Sequence, residues 1–192
     1  MEGRLGGAKG NEVLTRLIAA VLVVLLVAEG ITILSIEGLV QPHMFIGLVL
    51  IPPVAVKLAT TGYRFARYYT GSAEYRAKGP PELILRVTGP VLVLATLSLF
   101  ATGVWLMSLG HGSDAVLTLH VTSAVVWVVA FAIHVLMHGL DVLRSLRADW
   151  KQTLLGSAGG AGSRAMLLAA SLGGGLALAL SLLGAITGWH GE

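Results

Sequence analysis

Two stretches decide how this chain is read: HMFIGLVLIPPVAVK, from His43 to Lys57, and HVTSAVVWVVAFAIH, from His120 to His134. Each is apolar between two nitrogen-bearing ends, and each sets those ends fourteen residues apart. In an α-helix, fourteen residues turn through roughly 1400°, which leaves the ends ~40° apart on one face and ~21 Å apart along the axis. Nitrogen donors on single helix faces, at that separation and in so apolar a setting, point to chemistry at two depths of a bilayer.

The surrounding sequence agrees with a bilayer. Of 192 residues, 55% are hydrophobic and only 12% are charged. The mean hydropathy is +0.83. Soluble domains carry about 25% charged residues, so the composition belongs to the membrane class. Five stretches reach the roughly 20 apolar residues that cross a hydrocarbon core: Leu17 to Ile36, His43 to Thr61, Val87 to Leu109, Val116 to Val142 and Ala165 to Trp189. We therefore expect an all-α integral membrane protein of five transmembrane helices. The first span is longer than a signal-peptide core and lacks a small-x-small cleavage site, so it reads as a retained anchor.

Twelve of the thirteen Lys and Arg residues precede the first span or lie in the second-to-third and fourth-to-fifth connections; the thirteenth, Lys57, lies within a span. By the positive-inside rule the N-terminus is cytoplasmic and the C-terminus outside. This distribution by topology also argues against nucleic acid as a partner, despite a net charge of +3. The expected organisation is an N-terminal cytoplasmic segment at 1–16, a bundle of four spans at 17–147, a flexible linker at 148–164 and a fifth span with an outer tail at 165–192. The linker reading rests on LLGSAGGAGS between residues 154 and 163, which suggests that the fifth helix is loosely tethered.

No cysteine is present. Disulfides, iron–sulfur clusters, thioether-attached haem and thiolate zinc sites are excluded. Histidine becomes the main source of chemistry. The second and fourth spans run in the same direction, so His43 and His120 fall at similar outer depth. Two imidazoles facing each other from parallel helices suit the two sides of one iron porphyrin. His134 falls ~21 Å deeper on the face of His120, His138 lies one turn further, and Lys57 is the counterpart on the second span. The His134–His138 pair also has the spacing of a zinc or copper site on one helix face. Gly103 and Gly89, again fourteen apart, fall at the outer and inner levels of the third span, and Gly47 lies one turn below His43. Glycine lets a flat macrocycle approach a backbone closely.

On these residues the chain resembles the di-haem membrane cytochromes b, including the four-helix b subunits of bacterial hydrogenases and formate dehydrogenases. His120 and His134 match the family's histidine pair, His43 matches the first position of the partner helix, and Gly103 and Gly89 match its clearance glycines. The resemblance covers residues 40 to 143. It implies one or two haems b and a multi-pass protein of the bacterial cytoplasmic membrane. It also implies electron transfer between a membrane quinone and an extrinsic redox subunit, in a homo- or hetero-oligomer. The departure is Lys57, where the family has a fourth histidine. Lys57 then ligates iron as a neutral amine, leaves His134 as a lone ligand, or pairs with a haem propionate or quinone oxygen. Arg64, Arg67 and Arg86 set topology and are candidates for inner propionates or anionic lipid headgroups. Trp127 reads as a belt residue, and His111 and His190 as solvent residues. Two other classes stay open: an ion or proton transporter using Lys57 and the histidines, and a cofactor-free scaffold subunit. No catalytic triad, phosphate loop or catalytic carboxylate pair is visible, so the chain is read as an electron-transfer subunit rather than a self-contained enzyme.

Overall fold

The computed structural model describes residues 7–77, 79, 83–154 and 160–189, with no side-chain description for Leu85 or residues 138–154. The described chain is helical, without strands. Its long helices are α1 (Gly7–Ile33), α2 (Ile36–Tyr69), α4 (Leu83–Leu109), α5 (Asp114–Leu154) and α6 (Ala161–Ser181); α3 (Ala73–Arg76) and α7 (Leu183–Thr187) are short.

Five of these are long and apolar enough to cross a membrane, with mean hydropathy from 1.5 to 2.3. Only 17–28% of each apolar window is buried within the protein. The remaining surface carries bare aliphatic side chains such as Val24, Leu94 and Leu136, which water would penalise and hydrocarbon accommodates. The protein is therefore a multi-pass membrane protein.

α1 and α2 are joined by Leu34 and Ser35 alone. Glu37–Gln41, between the first two expected spans, is already helical. The irregularity is confined to Leu39 (φ −123°, ψ 17°). Pro42 explains the break: its ring excludes a regular helical turn before it while suiting the first turn of the helix that resumes. Pro52 and Pro53 sit within helical backbone.

α2 is the hub of the bundle, packing on α1, α4 and α6, while α5 packs mainly on α4. One core cluster joins Leu14, Ile18 and Leu22 of α1 to Leu50 of α2, flanked by Phe100 and Leu168. A second joins Leu48 of α2, Met107 of α4, Ala179 of α6 and Ile186 of α7.

The last long helix is held closely rather than loosely. Pro53 has no N–H to give the Val49 carbonyl four residues back. That carbonyl is where α6 approaches, because a Cβ at Gly175 would collide with it. Missing donor and missing side chain thus meet, and two helix backbones come together. Trp189 Nε1 donates to the Leu106 carbonyl at 3.2 Å and pins the end of the chain to α4. Residues 155–159 of the expected linker lie outside the described residues, as do Arg4, Lys78 and His190.

Candidate functional site

The site is built at the ends of α1, α2, α4 and α5 that adjoin the Leu34–Ser35 and Gly110–Ser113 turns. Glu29 and Thr32 are three residues apart and share one face of α1. His43 Nδ1 lies 3.0 Å from Thr32 Oγ1 and 3.0 Å from Glu29 Oε1. On the other side, His120 Nδ1 lies 2.9 Å from Thr102 Oγ1. Both threonines are buried.

Hydrogen-bond accounting assigns the ring tautomers once the hydroxyl protons are placed on the helix carbonyls. A hydroxyl has one proton. Thr102 donates its proton to the Ser98 carbonyl at 2.7 Å, so toward His120 it accepts. Thr32 donates to the Glu29 carbonyl at 2.5 Å, so toward His43 it also accepts, as does the Glu29 carboxyl oxygen. Nδ1 is therefore the protonated nitrogen of each ring, and Nε2 carries the lone pair of the neutral imidazole. The protons are assigned from this network.

The two rings face each other across the bundle with centroids 6.3 Å apart and planes at 90°. Both are mostly shielded, with 22% of the His43 side chain accessible. Among the described residues, the α2 and α5 backbones do not close on each other as the neighbouring pairs do; the imidazoles reach into the space between. Gly103 serves His120 directly, since a Cβ there would sit 3.3 Å from its Cε1. At Gly47 a Cβ would meet Glu29 Oε1 at 3.5 Å. The Cβ directions of Gly103 and Gly47 thus point at a ring carbon and a carboxyl oxygen.

The inner level differs. Lys57 Nζ donates to the Thr15 carbonyl of α1 at 3.0 Å, one turn from where Asn11 Nδ2 donates to the Thr60 carbonyl at 3.2 Å. His43 and Lys57 do share a face of α2, but the partner along it is α1. A lysine donating to a carbonyl does not offer that nitrogen's lone pair to a metal. His134 is half-buried on α5, and the side chain of His138 lies outside the described residues. Among the described residues, nothing lies within 4 Å of a Cβ at Gly89. Arg64 and Arg86 are exposed and Arg67 is half-buried. Among the described residues, no three His, Cys, Asp or Glu side chains converge on a position for a metal ion. The His134–His138 pair considered for zinc or copper lies partly outside the described residues, and the unit that the described residues bring together is the pair of imidazoles at His43 and His120.

Trp127 corrects another expectation. It stands seven residues from both His120 and His134, deep in the span rather than in a belt. Its Nε1 donates to Thr96 Oγ1 at 2.9 Å, and its ring stacks on Phe131 at 4.6 Å. With the Ser98–Ser123 hydroxyl contact at 2.7 Å, it forms a polar seam locking α4 to α5. His111 is exposed, as expected.

Sequence reasoning missed Glu29, Thr32 and Thr102. Glu29 did leave a signal, a lone carboxyl group inside an apolar run. The threonines left none, because hydroxyls bonding back to their own helix are common in such spans. An apolar cleft of about 420 Å³ is lined by Gln41, Pro42, Phe45 and Ile46 of α2 and Leu183, Ile186 and Thr187 of α7. Compared with family models, curated proteins and solved structures, the chain matches none.

Proposed function

We propose that the protein is a membrane cytochrome b that holds a haem between His43 and His120 and passes electrons between a membrane quinone and an extrinsic redox protein. The ring geometry carries this reading. Two imidazoles holding one metal ion between them, with metal–nitrogen bonds of about 2.0 Å and about 1.1 Å from ring nitrogen to ring centre, would have centroids about 6.2 Å apart, and the observed separation is 6.3 Å. Both Nε2 lone pairs are free of the Nδ1 hydrogen bonds that orient the rings.

When bound, the haem supplies one-electron oxidation and reduction at iron. His43 and His120 would hold the iron through their Nε2 nitrogens. Thr32, Glu29 and Thr102 fix their tautomers and orientation, as outer-shell partners do at metal sites. The apolar helices around them exclude water. The cleft beside Phe45 is of the size range that holds small ligands and offers a quinone ring a place near His43. The orientation follows from the Lys and Arg distribution, with the His43 end outside the cytoplasmic membrane.

The test is the absorption spectrum of the full chain, purified from cells supplied with haem. A Soret band and a reduced-minus-oxidised α-band, both lost in His43→Ala and His120→Ala, are expected. A chain without a Soret band overturns the reading and leaves the two other classes, an ion or proton transporter using Lys57 and the histidines and a cofactor-free scaffold subunit.

A further inference from the structure

Arg64, Arg67 and Arg76 take no part in the site of His43 and His120. Arg64 stands twenty-one residues along α2 from His43, roughly 31 Å down the helix axis, beyond the reach of propionates of a haem held there. The same length sets their depth. A hydrocarbon core of about 30 Å takes about twenty helical residues. With His43 at one boundary, Arg64 to Tyr69 at the end of α2 fall in the headgroup layer at the other. The neighbouring helix α4 agrees, since its apolar window begins at Arg86.

At this level the chain gathers positive charge on a surface. Arg64, Arg67 and Tyr68 are three and four residues apart and share one face of α2. Arg64 is exposed and Arg67 half-buried. α3 is folded back against α2, with Tyr75 buried and its ring edge-on to Tyr63 at 6.1 Å. That brings Arg76 to the same end. Its Nε donates to the Tyr68 carbonyl at 3.4 Å. Its guanidinium lies against Gly71, whose φ of +92° suits a residue without a side chain. Glu74, the described carboxyl group of this connection, is engaged elsewhere: its Oε1 accepts the Ala8 N–H at the start of α1 at 3.1 Å. On the flank of the arginine face, Phe65 and Tyr69 are exposed, with ring centroids 4.6 Å apart.

We infer that Arg64, Arg67 and Arg76 form a binding surface for the phosphate of an anionic phospholipid of the cytoplasmic leaflet. Neither the surface nor its test involves the haem. The Lys and Arg distribution sets this end on the cytoplasmic side, where anionic lipids attract cations next to the membrane. Guanidinium forks match phosphate oxygens two at a time. Phe65 and Tyr69 favour a lipid over a soluble anion, because exposed rings at this depth settle at the boundary between headgroups and acyl chains.

Spin-labelled phosphatidylglycerol and phosphatidylcholine, each added to the full chain in phosphatidylcholine vesicles, test this through the fraction of label immobilised at the protein surface. The parent is expected to hold phosphatidylglycerol several-fold more strongly, with a preference that shrinks as salt is raised. The double variant Arg64→Gln, Arg76→Gln should bring the two lipids within about two-fold of each other. Lys9→Gln removes an exposed cation from the same side of the membrane but outside the cluster, and should keep the parent's preference. The double variant Arg64→Lys, Arg76→Lys keeps the charge, loses the forks and should fall between. Equal immobilisation of the two lipids by the parent overturns the inference. So does a loss in Lys9→Gln as large as in the double glutamine variant, which would mean undirected attraction by net charge. If the glutamine variant does not assemble, the lysine variant decides, since a preference equal to the parent's contradicts recognition by guanidinium forks.

Discussion

At one end of α2, His43 faces a second imidazole 6.3 Å away, and both Nδ1 atoms are engaged by buried acceptors. At the other end, fourteen residues along, Lys57 hands its ammonium to a backbone carbonyl of α1. Both levels have a nitrogen at the expected depth. They differ in what holds it. His43 is locked by two side chains of α1 and opposed by α5, whereas Lys57 has a long stem that finds the nearest unshared carbonyl lone pair. Equal spacing brings donors to equal depths, but a ligand pair also needs anchors that aim it.

Four sets of variants would break or sharpen this contrast. The largest effect is expected from the imidazoles. His43→Ala and His120→Ala each abolish haem binding, while His134→Ala retains the His43–His120 centre; haem per chain measures this, and undiminished haem in either of the first two contradicts the pairing. Thr102→Val comes next. Loss of the acceptor that orients His120 should weaken haem retention by about ten-fold, the scale of outer-shell changes at metal sites, and a haem-transfer assay to apomyoglobin reads it. A smaller loss is expected from Gly103→Ala, whose methyl group would lie 3.3 Å from His120 Cε1 and push the ring by a few tenths of an ångström. Gly89→Ala, with open space around its Cβ position, should leave haem content unchanged. Smallest is Lys57→Met. It removes one hydrogen bond, about 1 kcal/mol of stability, and should leave the haem count and spectrum as they were; a drop in that count would show that the inner level also holds a ligand.

The spans were legible because a bilayer forces some twenty apolar residues into one helix, and no packing detail competes with that demand. Turn boundaries were less so. Glu37 and Pro42 resemble loop residues, yet Pro42 also suits the first turn of a helix, and only Leu39 leaves the helical region. The docking of α6 was hidden because small residues in LGGGLALAL mark a close approach without naming the partner. That partner is the Val49 carbonyl, identifiable only once α2 and α6 are side by side. At the site, the fourteen-residue rule found His43 and His120, since parallel spans must bring them to one depth. It could not find Thr102, whose role depends on how α4 is rotated against α5. Nor could it assign Lys57, because a four-carbon stem reaches in directions that spacing does not fix. Glu29 was the avoidable miss, as a carboxyl group in lipid rarely lacks a task.

The most direct test of the central claim is low-temperature electron paramagnetic resonance of the ferric full chain, with haem counted in the same sample. With a haem held between them as proposed, imidazole planes kept at the 90° of this structure would leave two iron d orbitals nearly equal in energy and give a strongly anisotropic low-spin signal. One such centre per chain is the expected result. A high-spin signal, a rhombic signal of parallel imidazoles or a sample devoid of haem would contradict the pairing of His43 with His120 across one iron.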